Sequence, residues 1–208
     1  MDGQLISQVA DDLHRELQQV EKCIEVIRRD SFREVLMFLA KAKGRIFVTG
    51  VGTSGSVARR TAHLLTCCGV PALFIHPTDA IHGGSGVILP EDVIVAYSKG
   101  GKSSEINNFL KVAVERGAAI IGLTEDCNSE FGQICDYMLE YTIDPESEPF
   151  GMIATTSSLF VSVLSDALCI GLLRLRGYTK DQFATTHPGG KVGEIIKRAD
   201  GGTEVDAT

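Results

Sequence analysis

The chain has 208 residues, 44% of them hydrophobic, and a formal net charge of −7, enough apolar material for one sizeable core at about the usual ~100–200-residue domain length. The acidic balance leaves no basic face for a polyanion, and no Lys/Arg cluster is interleaved with aromatics, which argues against nucleic acid as a partner. Met1-Asp2-Gly3 lacks the basic and apolar regions of a signal peptide, and the longest apolar run, Leu159 to Leu173, is interrupted by Asp166 and too short to span a bilayer. A cytoplasmic location with no membrane partner is therefore expected. The six cysteines, Cys23, Cys67, Cys68, Cys127, Cys135 and Cys169, show no C-x-x-C pairing, which argues against zinc and against a disulfide framework. Most of them read as small buried apolar side chains.

Leu5, Ile6, Val9, Leu13, Leu17, Val20, Ile24 and Ile27 recur at steps of three and four, so residues 4–29 are expected to form one long amphipathic helix. Such a helix lies outside a βαβ core and either covers the sheet edge or packs against a second subunit. The subunit contact is the favoured reading. Ser31 and Glu34 have capping-box spacing, and Val35, Leu36, Phe38 and Leu39 give the following helix an apolar face that ends at Gly44.

From Ile46 onward strands and helices alternate: strand 46–50, helix 55–68, strands 72–76 and 93–97, helix 103–116, strand 119–123, a short helix near 129–135, strand 137–142 and a core helix 158–176. This is the pattern of a parallel sheet with helices on both faces, whose ligands bind at the C-terminal strand ends. The loops at those ends are Thr49 to Ser56, His76 to Gly86, Ser98 to Glu105, Thr124 to Ser129 and Thr142 to Ser158.

Two of these loops have the composition of an anion cradle. Gly50, Gly52 and Gly55 follow the apolar strand Ile46 to Val48 in a G-x-G-x-x-G spacing, with Ser54 or Ser56 placed to cap the next helix. A dinucleotide enzyme would place an acidic residue about 20 residues on, at the end of the second strand. Here that strand ends in His76-Pro77, and Asp79 follows only after the proline. The second loop, Ser98-Lys-Gly-Gly-Lys-Ser-Ser104, offers the hydroxyls of Ser98, Ser103 and Ser104, the N–H groups of a helix start, and charge from Lys99 or Lys102. It lacks Walker spacing, so a sugar phosphate fits better than a nucleoside triphosphate.

At Gly50-Val-Gly-Thr-Ser-Gly55, His76-Pro-Thr-Asp-Ala-Ile-His-Gly83, Ser98 to Glu105, Ala154-Thr-Thr-Ser-Ser158 and Thr186-His-Pro-Gly-Gly190 the chain resembles sugar isomerase (SIS) domains, and among them the arabinose-5-phosphate isomerases. The resemblance covers about residues 30–197. It implies a three-layer αβα sandwich with a five-stranded parallel sheet of the flavodoxin-like nucleotide-binding type, preceded by N-terminal helices. It also implies a homotetramer or homodimer with sites between subunits, no organic cofactor, and interconversion of arabinose 5-phosphate and ribulose 5-phosphate. The organisation that follows is N-terminal helices over 1–43 as the oligomer contact, a phosphosugar-binding SIS domain over 44–198, and a flexible tail over 199–208. Many relatives continue into a pair of CBS modules, and regulation through such modules is not expected of this sequence.

The resemblance carries the family's catalytic set onto Glu105, Glu146 and His187, while the family's lysine in the first glycine loop is replaced by Thr53. Lys99, Gly100 and Lys102 stand where relatives usually carry asparagine, serine and an acid. Substrate contacts are expected from Gly52, Thr53, Ser54, His76, His82, Ser98, Lys99, Lys102, Ser103 and Ser104, with no metal. Each has a blander reading. Glu105 in a first helical turn can simply complement the helix dipole, His187 can be a solvated turn residue, and Glu146 sits among Asp144 and Glu148. His76 can be a strand-end residue, and His82 can touch sugar hydroxyls or hold a lone adventitious zinc. His14 and His63 read as structural. Thr53 also keeps open a different function, a phosphosugar-binding or sensing domain without chemistry.

Overall fold

A computed structural model describes residues 2–199. Met1 and residues 200–208 lie outside the described residues, and with them nearly all of the tail expected over 199–208. Five parallel strands form one sheet in the order β2-β1-β3-β4-β5. They are β1 (Ile46–Gly50), β2 (Ala72–Phe74), β3 (Val93–Tyr97), β4 (Ala119–Thr124) and β5 (Tyr137–Glu140). β1 and β3 are buried along their whole length, which is why they read in the sequence as unbroken β-branched runs.

Alternate strand residues feed two cores. Ile46, Val48, Val93, Val95, Tyr97, Ile121 and Leu123 pack with α3 (Asp30–Lys41), α4 (Gly52–Cys67) and α8 (Thr156–Leu175). Phe47, Ile94, Ala96 and Ile120 pack on the opposite face with α5 (Pro77–Ile81), α6 (Ser104–Glu115) and α7 (Glu130–Ile134). The result is the expected αβα sandwich. Asp166 on apolar α8 is held by Arg60 of α4 through two bonds of 2.6 and 2.9 Å. The hydroxyl of Tyr97 lies 2.8 Å from that of Ser165, and burial pushes the phenol up to about 12.

Several boundaries differ from the sequence reading. The helix expected over 4–29 breaks at Lys22 into α1 (Asp2–Glu21) and α2 (Cys23–Ile27). α3 is capped by Arg29 without a side-chain bond and ends at Lys41, so Ser31 and Glu34 form no capping box. α4 begins at Gly52 after Val51, ahead of the expected Ser54 or Ser56 cap. β2 stops at Phe74, and the loop after it contains α5, whose Pro77 occupies a first-turn position. α8 is 20 residues long and apolar enough to cross a membrane by length and composition. Run length alone therefore does not exclude a span, but in this fold α8 is a core helix, with Phe160, Leu164, Leu168 and Leu172 buried. Two further helices, α9 (Lys180–Thr186) and α10 (Gly190–Ala199), flank the Thr186-His-Pro-Gly-Gly190 segment and pack extensively on no other element among the described residues.

Candidate active site

The strand order reverses between β1 and β3, and in open parallel sheets the crevice beyond such a reversal is where ligands bind. Both glycine loops leave the sheet there. A Cβ on Gly50 would stand 2.9 Å from the Ser54 carbonyl, and one on Gly55 2.8 Å from the Gly50 carbonyl oxygen. Strand and helix can therefore approach this closely only as glycines. Gly52 takes φ +56 at the turn.

Ser98 at the end of β3 is 3% exposed, and its hydroxyl has no hydrogen-bond partner among the described residues. Its backbone N–H donates to Leu123, and its carbonyl accepts from Gly101 N–H at 3.2 Å, closing a tight turn. Gly101 has φ +65 and lies so close to Ser129 that a Cβ would overlap the serine hydroxyl. Beyond the turn, no backbone carbonyl among the described residues accepts from the N–H groups of Lys102, Ser103, Ser104 or Glu105. Ser103 is the N-cap of α6 but makes no side-chain cap. An unpartnered hydroxyl and four open N–H groups at a helix start are what a phosphate requires.

Lys99 turns away from this loop. Its ammonium reaches Glu148 Oε2 at 2.6 Å, and Lys99 lines a small cleft of about 40 Å³ together with Thr53, Ser54, Tyr141, Ser157 and Ser158. Glu148 is 3% exposed, and its other oxygen accepts from Ser157 N–H at 2.9 Å and from the Ser157 hydroxyl. Burial raises the Glu148 carboxyl, but the bonds from Lys99 and Ser157 outweigh it and hold the group below the ordinary glutamate value. Sequence reasoning missed Glu148, because its neighbours Asp144 and Glu146 make the segment look like a solvated acidic loop.

The remaining candidates are spread around this centre. Glu105 is exposed in the first turn of α6, where Ser104 donates to its Oε2 at 3.4 Å. Lys102 is exposed without an ion pair among the described residues. Glu146 is exposed on a 3-10 turn, its N–H bonded to Asp144 at 3.0 Å. His76 caps α5 through Thr78 N–H at 3.3 Å, and His82 lies at the other end of that helix. His187 stacks on Phe183 with ring centroids 3.8 Å apart, beyond the sheet domain. No hydrogen bond among the described residues joins Glu105, Glu146 and His187 within one chain. Among the described residues no three His, Cys, Asp or Glu side chains are placed to hold a metal ion.

The SIS domain family model matches residues 38–170. The chain is 36% identical over 167 residues to the arabinose 5-phosphate isomerase KdsD of Pseudomonas aeruginosa, covering 80% of this chain and 51% of that protein. It is 32% identical over 196 residues to KpsF, an Escherichia coli arabinose 5-phosphate isomerase, covering 94% and 62%. The chain thus spans about half the length of the curated relatives it matches. Among solved structures, a Listeria monocytogenes protein described as a sugar-phosphate isomerase superposes with TM-score 0.86 at 33% identity, covering 91% of this chain and 100% of that one. The c3406 protein of Escherichia coli CFT073, solved in complex with arabinose 5-phosphate, superposes with TM-score 0.84 at 30% identity, covering 90% and 100%. By sheet order, loop geometry and these matches together, the chain belongs to the SIS domain family.

Proposed function

We propose that this protein is a phosphosugar isomerase that interconverts an aldose phosphate and a ketose phosphate of the arabinose 5-phosphate and ribulose 5-phosphate type. The observation that carries the reading is the buried, unpartnered Ser98 hydroxyl beside the open N–H groups of α6. That is a phosphate cradle at the strand reversal. Arabinose 5-phosphate is the substrate because relatives of 32–36% identity are named for it. The reaction opens the sugar ring, removes the proton on the carbon next to the carbonyl, and returns a proton to the neighbouring carbon through an enediol. Glu105, Glu146 and His187 are the acid–base groups, and Ser98, Ser103 and Ser104 hold the phosphate. Gly52, Thr53, Ser54, His76 and His82 line the sugar.

No hydrogen bond among the described residues joins the three acid–base groups, and the reading includes a homo-oligomer, dimer or tetramer, whose subunits complete each other's sites. The exposed stripe of Leu5, Ile6, Val9, Leu13 and Leu17 on α1 supports it, each being 51–67% exposed. The cytoplasm is the expected location. Thr53 favours the second reading, a binding or sensing domain, since a hydroxyl offers no charge where relatives place a lysine. Purified protein incubated with arabinose 5-phosphate tests both. Formation of ribulose 5-phosphate supports the isomerase. Binding without turnover, with activity switched on by Thr53→Lys, supports the binding domain.

A further inference from the structure

Lys99 belongs by sequence to the serine loop, yet its side chain points out of that loop to the N-terminal end of α8. The reason is electrostatic. A fully buried carboxylate such as Glu148 needs a partner, and among the described residues Lys99 is the cation bonded to it. A second carboxylate, Glu125, stands on the same side. It accepts from Ile143 N–H at 2.8 Å, and its own N–H donates to the Lys99 carbonyl at 2.8 Å. The Lys99 side chain is 34% exposed, so its ammonium is not sealed in. One of its three donor hydrogens is committed to Glu148, and two remain for the cleft, whose wall carries Thr53, Ser54 and Ser158 and, among the described residues, no other cation.

We propose that Lys99 is the cation for the carbohydrate end of the bound phosphosugar, and that buried Glu148 is a positioning residue that holds it there, away from the phosphate cradle. The inference rests on the phosphosugar reading. Lys99 contacts sugar oxygens and supplies positive charge to whichever one becomes negative. Glu148 acts only through Lys99: its carboxylate is committed to Lys99 and Ser157 and does not exchange protons with the substrate. Thr53, across the cleft, adds a neutral hydroxyl.

The test is calorimetric binding of inorganic phosphate and of a panel of pentose and hexose phosphates to wild type, Lys99→Met, Glu148→Gln and the double variant. Lys99→Met is expected to weaken binding of the preferred sugar phosphate at least about tenfold while changing inorganic phosphate affinity less than about twofold. Glu148→Gln, which keeps an acceptor for Ser157, is expected to weaken the same sugar phosphate at least about threefold. The double variant should be no worse than Lys99→Met, since Glu148→Gln keeps the acceptor for Ser157 and removes only what acts through Lys99. Parallel loss of sugar phosphate and inorganic phosphate in Lys99→Met overturns the inference by making Lys99 a phosphate ligand. Additive losses in the double variant overturn the positioning role. If Glu148→Gln fails to fold, the split between the two ligands in Lys99→Met decides alone. Failure of wild type to bind any member of the panel overturns the inference, whereas tight binding without turnover overturns only the isomerase reading.

Discussion

Ser98→Ala should move stability and binding in opposite directions. Among the described residues the buried Ser98 hydroxyl has no partner, and a buried hydroxyl left unpaired costs about 1–3 kcal/mol. Alanine removes that cost and gives back part of it as a small loss of packing, for a net gain of about 1 kcal/mol. In a domain of this size that raises Tm by roughly 2–4 °C. With phosphate bound in the proposed cradle, the same hydroxyl should donate to a charged oxygen, and its loss should cost about 1.5–3 kcal/mol, or roughly a 10- to 150-fold rise in Kd. Thermal melts with and without inorganic phosphate, paired with calorimetry, read both quantities on one preparation. The ligand-induced rise in Tm should shrink in the variant even as its ligand-free Tm exceeds that of wild type. A variant that melts lower than wild type and binds phosphate equally well refutes the cradle, because the hydroxyl would then be an ordinary packed side chain.

Three further outcomes are expected. Gly101→Ala introduces a Cβ at positive φ onto the Ser129 hydroxyl; it should cost at least about 1–2 kcal/mol from the left-handed backbone alone, seen in urea melts, and should weaken phosphate binding with it. Asp92 accepts from Arg45 N at 2.7 Å, Arg45 Nη2 at 2.7 Å and Leu89 N at 2.8 Å. Burial raises its carboxyl, but these bonds outweigh it and leave it below the ordinary aspartate value. Its stabilisation is therefore complete above about pH 4, the unfolded value, and is lost as pH falls through the lower folded value. Asp92→Asn should cost about 3 kcal/mol at neutral pH, the low end for breaking a buried pair because Arg45 is partly exposed, and should flatten the acid limb of a pH–stability curve. Deleting residues 2–21 should shift sedimentation toward a smaller particle or make the protein insoluble. Unchanged assembly would show that α1 serves only its own subunit, on which it packs against α8.

The parts of the fold that can be read from the sequence are those where burial is continuous. Ile46 to Gly50 and Val93 to Tyr97 match the observed strands residue for residue because both faces of each are covered. β2 is shorter than expected because His76 and Pro77 already belong to the next element, and α5 escapes the periodicity because five residues are too few to show a helical repeat. Its signal is a proline at a first-turn position followed by Asp79. The caps fail for a different reason. Ser31, Ser54 and Ser56 have the right identity and spacing, but Arg29 and Val51 take the extended backbone conformations at the two N-cap positions, and no side chain is needed to set the turn.

The candidate site divides along the same line. Glycine and serine loops announce themselves through local composition, so the loops of the proposed phosphate cradle are legible; an ion pair that closes over 49 residues of sequence leaves no local trace. In the sequence Lys99 looks like one of two equivalent serine-loop lysines, yet the fold separates them, Lys102 exposed on the loop and Lys99 folded against Glu148. That separation decides what the loss of a lysine at Thr53 means. Were the positive charge of the site carried by a mobile surface lysine, solvent would screen it, and threonine at position 53 would argue for an inert binding domain. A lysine pinned by a buried carboxylate within the cleft is preorganised instead, and a fixed cation near a developing negative charge needs little reorganisation at the moment of reaction. The geometry around Lys99 is therefore compatible with chemistry despite Thr53, and on the proposal above the positive charge at the sugar comes from the loop that follows the neighbouring strand.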